Sequence, residues 1–266
     1  SIDLPTFAKK TMTRFFIQLS YNGKEYNGWQ SQINAPGIQD VVERCLTFKL
    51  KHKVSIIGCG RTDTGVHAKK FFAHFDSSQE QNTITSASFL HQLNNCLPDD
   101  IAVSRIFPVQ DEAHARFDAI SRTYHYYFHI EKNPFLTQNS LFVFGNPDLK
   151  AMQNCANLLL EYDDFTSFSK LHSQTKTNLC KLSHAEIIPT KDGYYFSITA
   201  NRFLRNMVRA IMGTLLEAGH GKISESSFRM IIEGKNRSLA GFSAPAHALY
   251  LVDIAYPTGV IPEEQS

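Results

Sequence analysis

Hydrophobic periodicity in this chain switches between strand-like and helix-like spacing in the same order twice, and that repeat restricts the fold more than any other feature. Residues 14–21 alternate Phe15, Ile17, Leu19 and Tyr21 with other side chains, as a half-buried strand does. After the Pro36-Gly37 break, residues 40–50 place Val41, Val42, Cys45, Leu46 and Leu50 at helical spacing. Strands are predicted at 54–59 and 69–76, a helix at 86–96 ended by Pro98, and a strand at 101–109. The second half repeats this order with a strand at 123–130, a helix at 149–161, strands at 181–188 and 194–200, a long helix at 203–218 and a closing strand at 250–256. A further helix at 225–233 is an addition. The simplest account is an α+β fold of two consecutive ferredoxin-like β-α-β-β-α-β units. Their sheets can lie edge to edge in one mixed, mainly antiparallel sheet with helices packed on it, leaving a face or cleft for a large ligand. The predicted division is a tail at 1–12, a first unit at 13–115, a second at 116–257 and a tail at 258–266.

Composition narrows the function classes. With 42% hydrophobic residues over 266 positions a sizeable core is available. Charge interrupts every apolar run before the roughly 18 residues a membrane span needs, as Arg209 and Glu217 do in the most hydrophobic helix. The N-terminus lacks the pattern of a secretory signal, and cytoplasm is the default expectation. Cys45, Cys59, Cys96, Cys155 and Cys180 are scattered through the sequence, and an odd count does not build a disulfide framework. They read as reduced, mostly buried thiols, and the histidines show no zinc-like spacing, so no metal is inferred. Against 25 acidic residues the 27 Lys and Arg leave +2, too little by itself to indicate nucleic acid. The distribution says more: Arg105, Arg116 and Arg122 share one stretch, Arg202, Arg205 and Arg209 another, and Lys69 and Lys70 follow the most reactive-looking loop.

That loop is Gly60-Arg61-Thr62-Asp63-Thr64-Gly65-Val66-His67-Ala68. Its glycines permit backbone angles closed to other residues and let a ligand come near. Arg61 offers a planar, permanently charged fork. A carboxylate beside such a cation stays ionised and can serve as a nucleophile. The bland reading of Asp63 is a hairpin-turn residue satisfying nearby backbone groups. Asp63-Thr64-Gly65 is also the triplet of aspartic proteases, which need two carboxylates sharing one proton and so would require a symmetric dimer here. Arg61 argues against that dyad. Tyr124, Tyr126, Phe128 and Ile130 share one strand face, where core packing is the ordinary role. On the predicted helix from 203, Arg202, Arg205 and Arg209 stand opposite the apolar stripe of Leu204, Met207, Val208, Ile211, Leu215 and Leu216, as an exposed basic row would. His67 reads as a structural loop residue, Trp29 as a packing residue, and Cys59 as a small core hydrophobe.

The string GRTDTGVHA resembles the active-site motif of the tRNA pseudouridine synthase A family, and other stretches agree in order. They are Tyr21-Asn22-Gly23 with Gly28-Trp29-Gln30, Gly37-Ile38-Gln39, His114 to Phe117 running into Ser121-Arg122-Thr123-Tyr124, the segment from Asn201 to Arg209, and Ala244-Pro245-Ala246 before Leu249-Tyr250-Leu251. The resemblance runs from about Arg14 to Pro257. It departs from the family at Gly241-Phe242, where Gly-Pro is usual, and at Ala248-Leu249-Tyr250, where Gly-Leu-Tyr is usual. Residues before Met12 match nothing in the family, and Met12 could be the native start.

The resemblance implies the pseudouridine synthase fold, with the active site in an RNA-binding cleft between the halves. It implies a cofactor-independent isomerase converting uridine to pseudouridine at positions 38, 39 and 40 of the tRNA anticodon stem-loop, and a homodimer. Asp63 would begin the chemistry. Tyr124 would stack on the target uracil, with removal of the carbon-5 proton as a second role, and Arg209 would pair with Asp63. Arg61 would help expel or position the nucleotide. Lys69, Arg116, Arg122, Arg202 and Arg205 would contact RNA phosphates. A catalytically silent RNA-binding protein and an aspartic hydrolase are the rival classes.

Overall fold

The computed structural model describes residues 12–31, 35–170 and 177–263, so most of the expected N-terminal tail and the end of the C-terminal one lie outside the described residues. The first repeat runs β1 (Thr13–Tyr21), α1 (Ile38–Leu50), β2 (Ile57–Gly58), β3 (His67–Ser77), α2 (Gln81–Ile84), α3 (Ala87–Asn94) and β4 (Ile101–Pro108). The second runs β5 (Ser121–His129), β6 (Leu141–Phe142), α4 (Leu149–Leu158), β7 (Leu182–Thr190), β8 (Gly193–Ala200), α5 (Met207–Gly219), α6 (Glu225–Glu233) and β9 (Leu249–Ala255). One nine-stranded sheet follows the order β4-β1-β3-β9-β5-β8-β7, with β2 on β3 and β6 on β5. Neighbours within each repeat's main path are antiparallel. The repeats join through a short parallel contact, His67 opposite Tyr250 and Ala68 opposite Leu251. The expected mixed, mainly antiparallel α+β sheet is therefore observed.

Each repeat buries the apolar stripe of its helices against its own strands. In α1 the buried set is Ile38, Val41, Val42, Cys45, Leu46 and Leu50, packed in one core with Phe15, Ile17, Leu19 and Phe71. Asp40 begins that helix by accepting the Gly37 N–H at 2.8 Å, and Lys51 ends it in the left-handed region at φ 59°. The second core gathers Met152, Cys155, Met207, Ile211 and Leu215 over Tyr126, Phe128 and Phe196. Tyr124 packs against both cores. The segment between the repeats packs onto the sheet: Ala113, Ala115 and Ala119 are buried, and Ala115 donates its N–H to His74 Nδ1 at 3.1 Å while its carbonyl accepts from Tyr256. Cys45 and Cys96, distant in sequence, bring their thiols to 2.8 Å.

Two boundaries differ from expectation for identifiable reasons. Only Ile57–Gly58 of the predicted strand at 54–59 joins the sheet. Side chains of α1 hold the backbone before it, since Thr47 Oγ1 accepts from Val54 N at 3.0 Å and Glu43 Oε1 from Ile56 N at 2.8 Å. The short β2 leaves the N-terminal edge of β3 open to β9. The long helix begins at Met207, not at 203, because Asn206 stands in the left-handed region at φ 67° immediately before it. Arg202 and Arg205 consequently lie in the loop ahead of α5, and the continuous helical row of three arginines does not form.

Candidate active site

The loop between β2 and β3 is held backbone against backbone by the segment that follows β1. Trp29 N donates to Thr62 O at 3.3 Å, Gly65 N to Tyr26 O at 3.3 Å, and Val66 N closes a turn on Asp63 O at 3.1 Å. Tyr21 and Thr62 hydroxyls share a buried hydrogen bond of 2.8 Å. Any Cβ on Gly28, which sits at φ 84°, would collide with the Thr62 carbonyl, and one on Gly23 with the Val66 carbonyl. Gly65 uses its freedom at φ 78°, whereas Gly60 has open space and no positive φ. Val66 inserts into the second core, so the loop that leaves the first repeat is anchored in the other.

Asp63 is thereby held with its side chain 27% exposed, its Oδ1 3.7 Å from Arg205 Nε. The partner differs from the expected Arg209. On the first turn of α5, Arg209 donates Nε to Ala244 O at 2.7 Å while its own carbonyl accepts from Ala244 N. This exchange directs Arg209 toward the chain before β9, and the earlier loop places Arg205 over the carboxylate. An ion pair of this length, with the arginine side chain 59% exposed, is worth at most about 1 kcal/mol to the fold. Its consequence is orientation. Among the described residues Asp63 is paired with an arginine and not with a second carboxylate, so a shared-proton dyad is not formed within one chain.

Tyr124 lies close enough to Asp63 that its phenol is pushed upward, first by burial and then by the neighbouring Cys59 and Asp63 charges. Its ring meets Phe203 edge-on at 5.1 Å and 87°. By contrast Tyr126, on the same strand face, is fully buried and donates its hydroxyl to Pro245 O at 2.8 Å, the core role expected of it. Phe203 itself was legible only as a predicted helix residue; its adjacency to Arg202 is the sole sequence hint of a site role.

Arg61 and Arg116 are exposed beside this opening, and the pKa of Arg116 is lowered by desolvation first and then by Arg61, Arg122 and Arg202. These four cations therefore form one group, a setting suited to phosphate. Arg202 also donates to Thr177 O at 3.3 Å. Arg122 differs from the rest: NH1 donates to Ala119 O and Asn201 O, both at 2.8 Å, and NH2 to Cys59 O at 2.9 Å and Arg116 O at 2.7 Å. Lys69 is not brought to the group. Its ammonium donates to Tyr127 OH at 2.8 Å and lies over the Tyr127 and Tyr250 rings; Tyr127 alternates to the face opposite Tyr124.

The neighbours read as structural are so placed. His67 accepts from Gly23 N through Nδ1 at 3.1 Å, which leaves Nε2 to donate to His247 O at 2.9 Å, and burial lowers its pKa. Trp29 is 3% exposed and stacks on Phe71 at 4.0 Å. Burial pushes the Cys59 thiol up to about 12, leaving it inert.

A partly buried carboxylate with one arginine at 3.7 Å, near an aromatic pair and a cluster of further arginines, is a setting that suits a base and its phosphates. A family model described as tRNA pseudouridine synthase matches residues 156–257. The chain is 50% identical over 249 residues to tRNA pseudouridine synthase A of Porphyromonas gingivalis, covering 93% of this chain and 98% of that protein. The Bacteroides thetaiotaomicron protein of the same name is 48% identical over 256 residues, covering 95% and 94%. That of Bacillus subtilis is 36% identical over 247 residues, covering 91% and 99%. The chain belongs to the tRNA pseudouridine synthase A family.

Proposed function

We propose that this protein is an isomerase that converts uridine to pseudouridine in tRNA, at positions 38, 39 and 40 of the anticodon stem-loop, with Asp63 initiating the reaction. The observation that carries this reading is the Asp63 carboxylate 3.7 Å from Arg205 Nε and near enough to Tyr124 to help raise its phenol. The bond from ribose to the uracil nitrogen must break, the base must turn, and a bond to carbon 5 must form. The target base has to leave its stack to expose those atoms. Asp63 then starts cleavage, by attack on the sugar carbon or by removal of a ribose proton. Tyr124 and Phe203 offer the freed base an aromatic wall. Tyr124, its phenol pushed upward chiefly by burial, presents a neutral ring to the base, and its hydroxyl is the candidate acceptor for the carbon-5 proton that leaves as the new bond forms. Arg61, Arg116 and Arg202 hold the surrounding phosphates, and no cofactor is required.

In this reading the enzyme acts in the cytoplasm as a homodimer. No described helix is long and apolar enough to cross a membrane. A second copy is supported by the sheet face opposite Tyr124, where His125 stacks on Tyr195 at 4.2 Å and Tyr127 meets Tyr250 at 5.2 Å, all only half-buried. The test of the function is treatment of an unmodified tRNA transcript followed by carbodiimide labelling and primer extension. Stops reporting pseudouridine at positions 38 to 40 are expected; stops elsewhere only, or none, would refute the assignment. Sedimentation at micromolar concentration checks the dimer, with a monomer as the contrary result.

A further inference from the structure

Three segments that carry the cationic site converge on one side chain. Arg122 extends from β5, two residues before Tyr124 and on the same strand face, in a position fixed by pairing with Ala200 on β8 and Ile254 on β9. Its guanidinium reaches the Cys59 carbonyl at the entrance of the catalytic loop, the Arg116 and Ala119 carbonyls of the inter-repeat segment, and the Asn201 carbonyl at the head of the arginine loop. We propose that Arg122 is a positioning residue: it sets the place of Asp63 relative to Tyr124 by clamping those three segments, and it is not a phosphate ligand. This rests on the reading of Asp63 as the initiating carboxylate.

Chemistry and geometry agree on that role. An arginine has five N–H groups in a planar fork, and four of them here are donated to carbonyls. Bidentate capture of phosphate needs two of those donors free and side by side. The clamp matters because the chain enters open space just after Cys59: a Cβ on Gly60 would meet nothing within 4 Å. Cys59 is held on one side by its N–H to Phe72 O at 2.7 Å and on the other by Arg122 NH2 at 2.9 Å. Beyond it, Arg61 and Asp63 take their places from that fixed point and from the Trp29 bond to Thr62 O. The same guanidinium orders Arg116 and the start of the segment bearing Arg202 and Arg205, so one side chain aligns the carboxylate, its ion-pair partner and the cations Arg116 and Arg202. A lysine cannot replace it, since one nitrogen with three N–H groups cannot serve four carbonyls that address two nitrogens.

The test compares wild type with Arg122→Lys and Arg122→Ala. Misplacement of a reacting group by about 1 Å costs on the order of 100-fold in rate. Arg122→Lys should therefore lower the single-turnover rate at saturating enzyme by roughly 100-fold. Its tRNA Kd should stay within about 3-fold of wild type and the salt dependence of binding should not change. Guanidinium ion at low millimolar concentration should partly restore the rate of Arg122→Ala, a rescue that a merely structural defect would not show. Amide exchange should quicken in residues 59–65, 110–120 and 201–206 of the lysine variant, and not across the rest of the chain. An unchanged rate with weaker binding and a salt slope reduced by about 1 would make Arg122 a phosphate ligand and overturn the proposal. So would uniformly faster exchange, which marks a general loss of stability. If Arg122→Ala does not fold, the exchange pattern of Arg122→Lys decides. If wild type itself forms no pseudouridine, the reading of Asp63 fails, and the exchange comparison still decides the clamp.

Discussion

The two repeats use the same connection, between their second and third strands, for opposite purposes. In the second repeat β7 and β8 pair to the end, with Thr190 opposite Gly193, so the connection is a tight turn in which Asp192 is exposed. In the first, β2 pairs over Ile57 and Gly58 alone, and the residues from Cys59 to Val66 become a loop free to cross the seam. There Asp63 is half-buried and faces Arg205. One architecture thus yields a hairpin aspartate of the ordinary kind and a reactive one. The difference lies in where the second strand stops pairing: β2 ends at Gly58, opposite Ala73, well short of His67 where β3 begins.

Exchanging carboxylate for amide at both connections gives the largest contrast. Asp63→Asn should lower pseudouridine formation by ~1,000-fold or more, while Asp192→Asn should leave rate and stability within about 0.5 kcal/mol; nucleoside analysis after single turnover reads both. A sensitive Asp192 would dissolve the contrast. The loop's mooring comes next. Gly28→Ala places a Cβ against Thr62 O at φ 84° and should cost about 1–3 kcal/mol in urea unfolding, with a parallel loss of rate. Gly60→Ala enters open space and should cost no more than about 0.5 kcal/mol. Equal costs would mean the loop is not held where described.

The arginines then divide by function. Arg205→Ala removes the partner of Asp63 and should slow the reaction roughly 10-fold with little loss of stability. Arg209→Ala removes a charged hydrogen bond to Ala244 O and should cost about 1.5–3 kcal/mol of stability, with a smaller effect on the chemical step. The reverse pattern would restore Arg209 as the carboxylate's partner. The smallest expected effect concerns pH. Burial, followed by the neighbouring His114 and Arg14 charges, lowers His74 from 6.5 to about 4. On acidification the unfolded chain takes up that proton first, so stability falls between pH 6.5 and about 4. His74→Gln should make the Tm profile shallower over that window, with His125, also lowered to about 4 chiefly by burial, keeping part of the slope, and leave Asp76, held low by its Arg14 hydrogen bond, to act at still lower pH. An unaltered profile would assign the acid response to other groups.

Much of this was legible in the sequence because the determinants are local. Alternation in β1 and β5 and the 3.6-residue stripe of α1 name their buried faces directly, and the glycines of the loop announce a special backbone. What the sequence hid depends on long-range partners. The truncation of β2 needs Glu43 and Thr47, which sit on a helix whose period says nothing of bonds to a later strand. Asparagine is tolerated inside helices, so the left-handed Asn206 that removes Arg205 from α5 is visible only once the chain is folded. Likewise Arg122 looks like any arginine before Thr-Tyr until its four carbonyls, from residues 59 to 201, are brought together.

The most direct test of Asp63 as the group that starts base isomerisation is release of tritium from carbon-5-labelled uridine in a tRNA transcript, measured for wild type and Asp63→Asn at matched protein and salt. Wild type should release label from positions 38 to 40, and Asp63→Asn, binding the same tRNA with similar affinity, should release none above background. Release by both proteins, or by neither, would contradict the account.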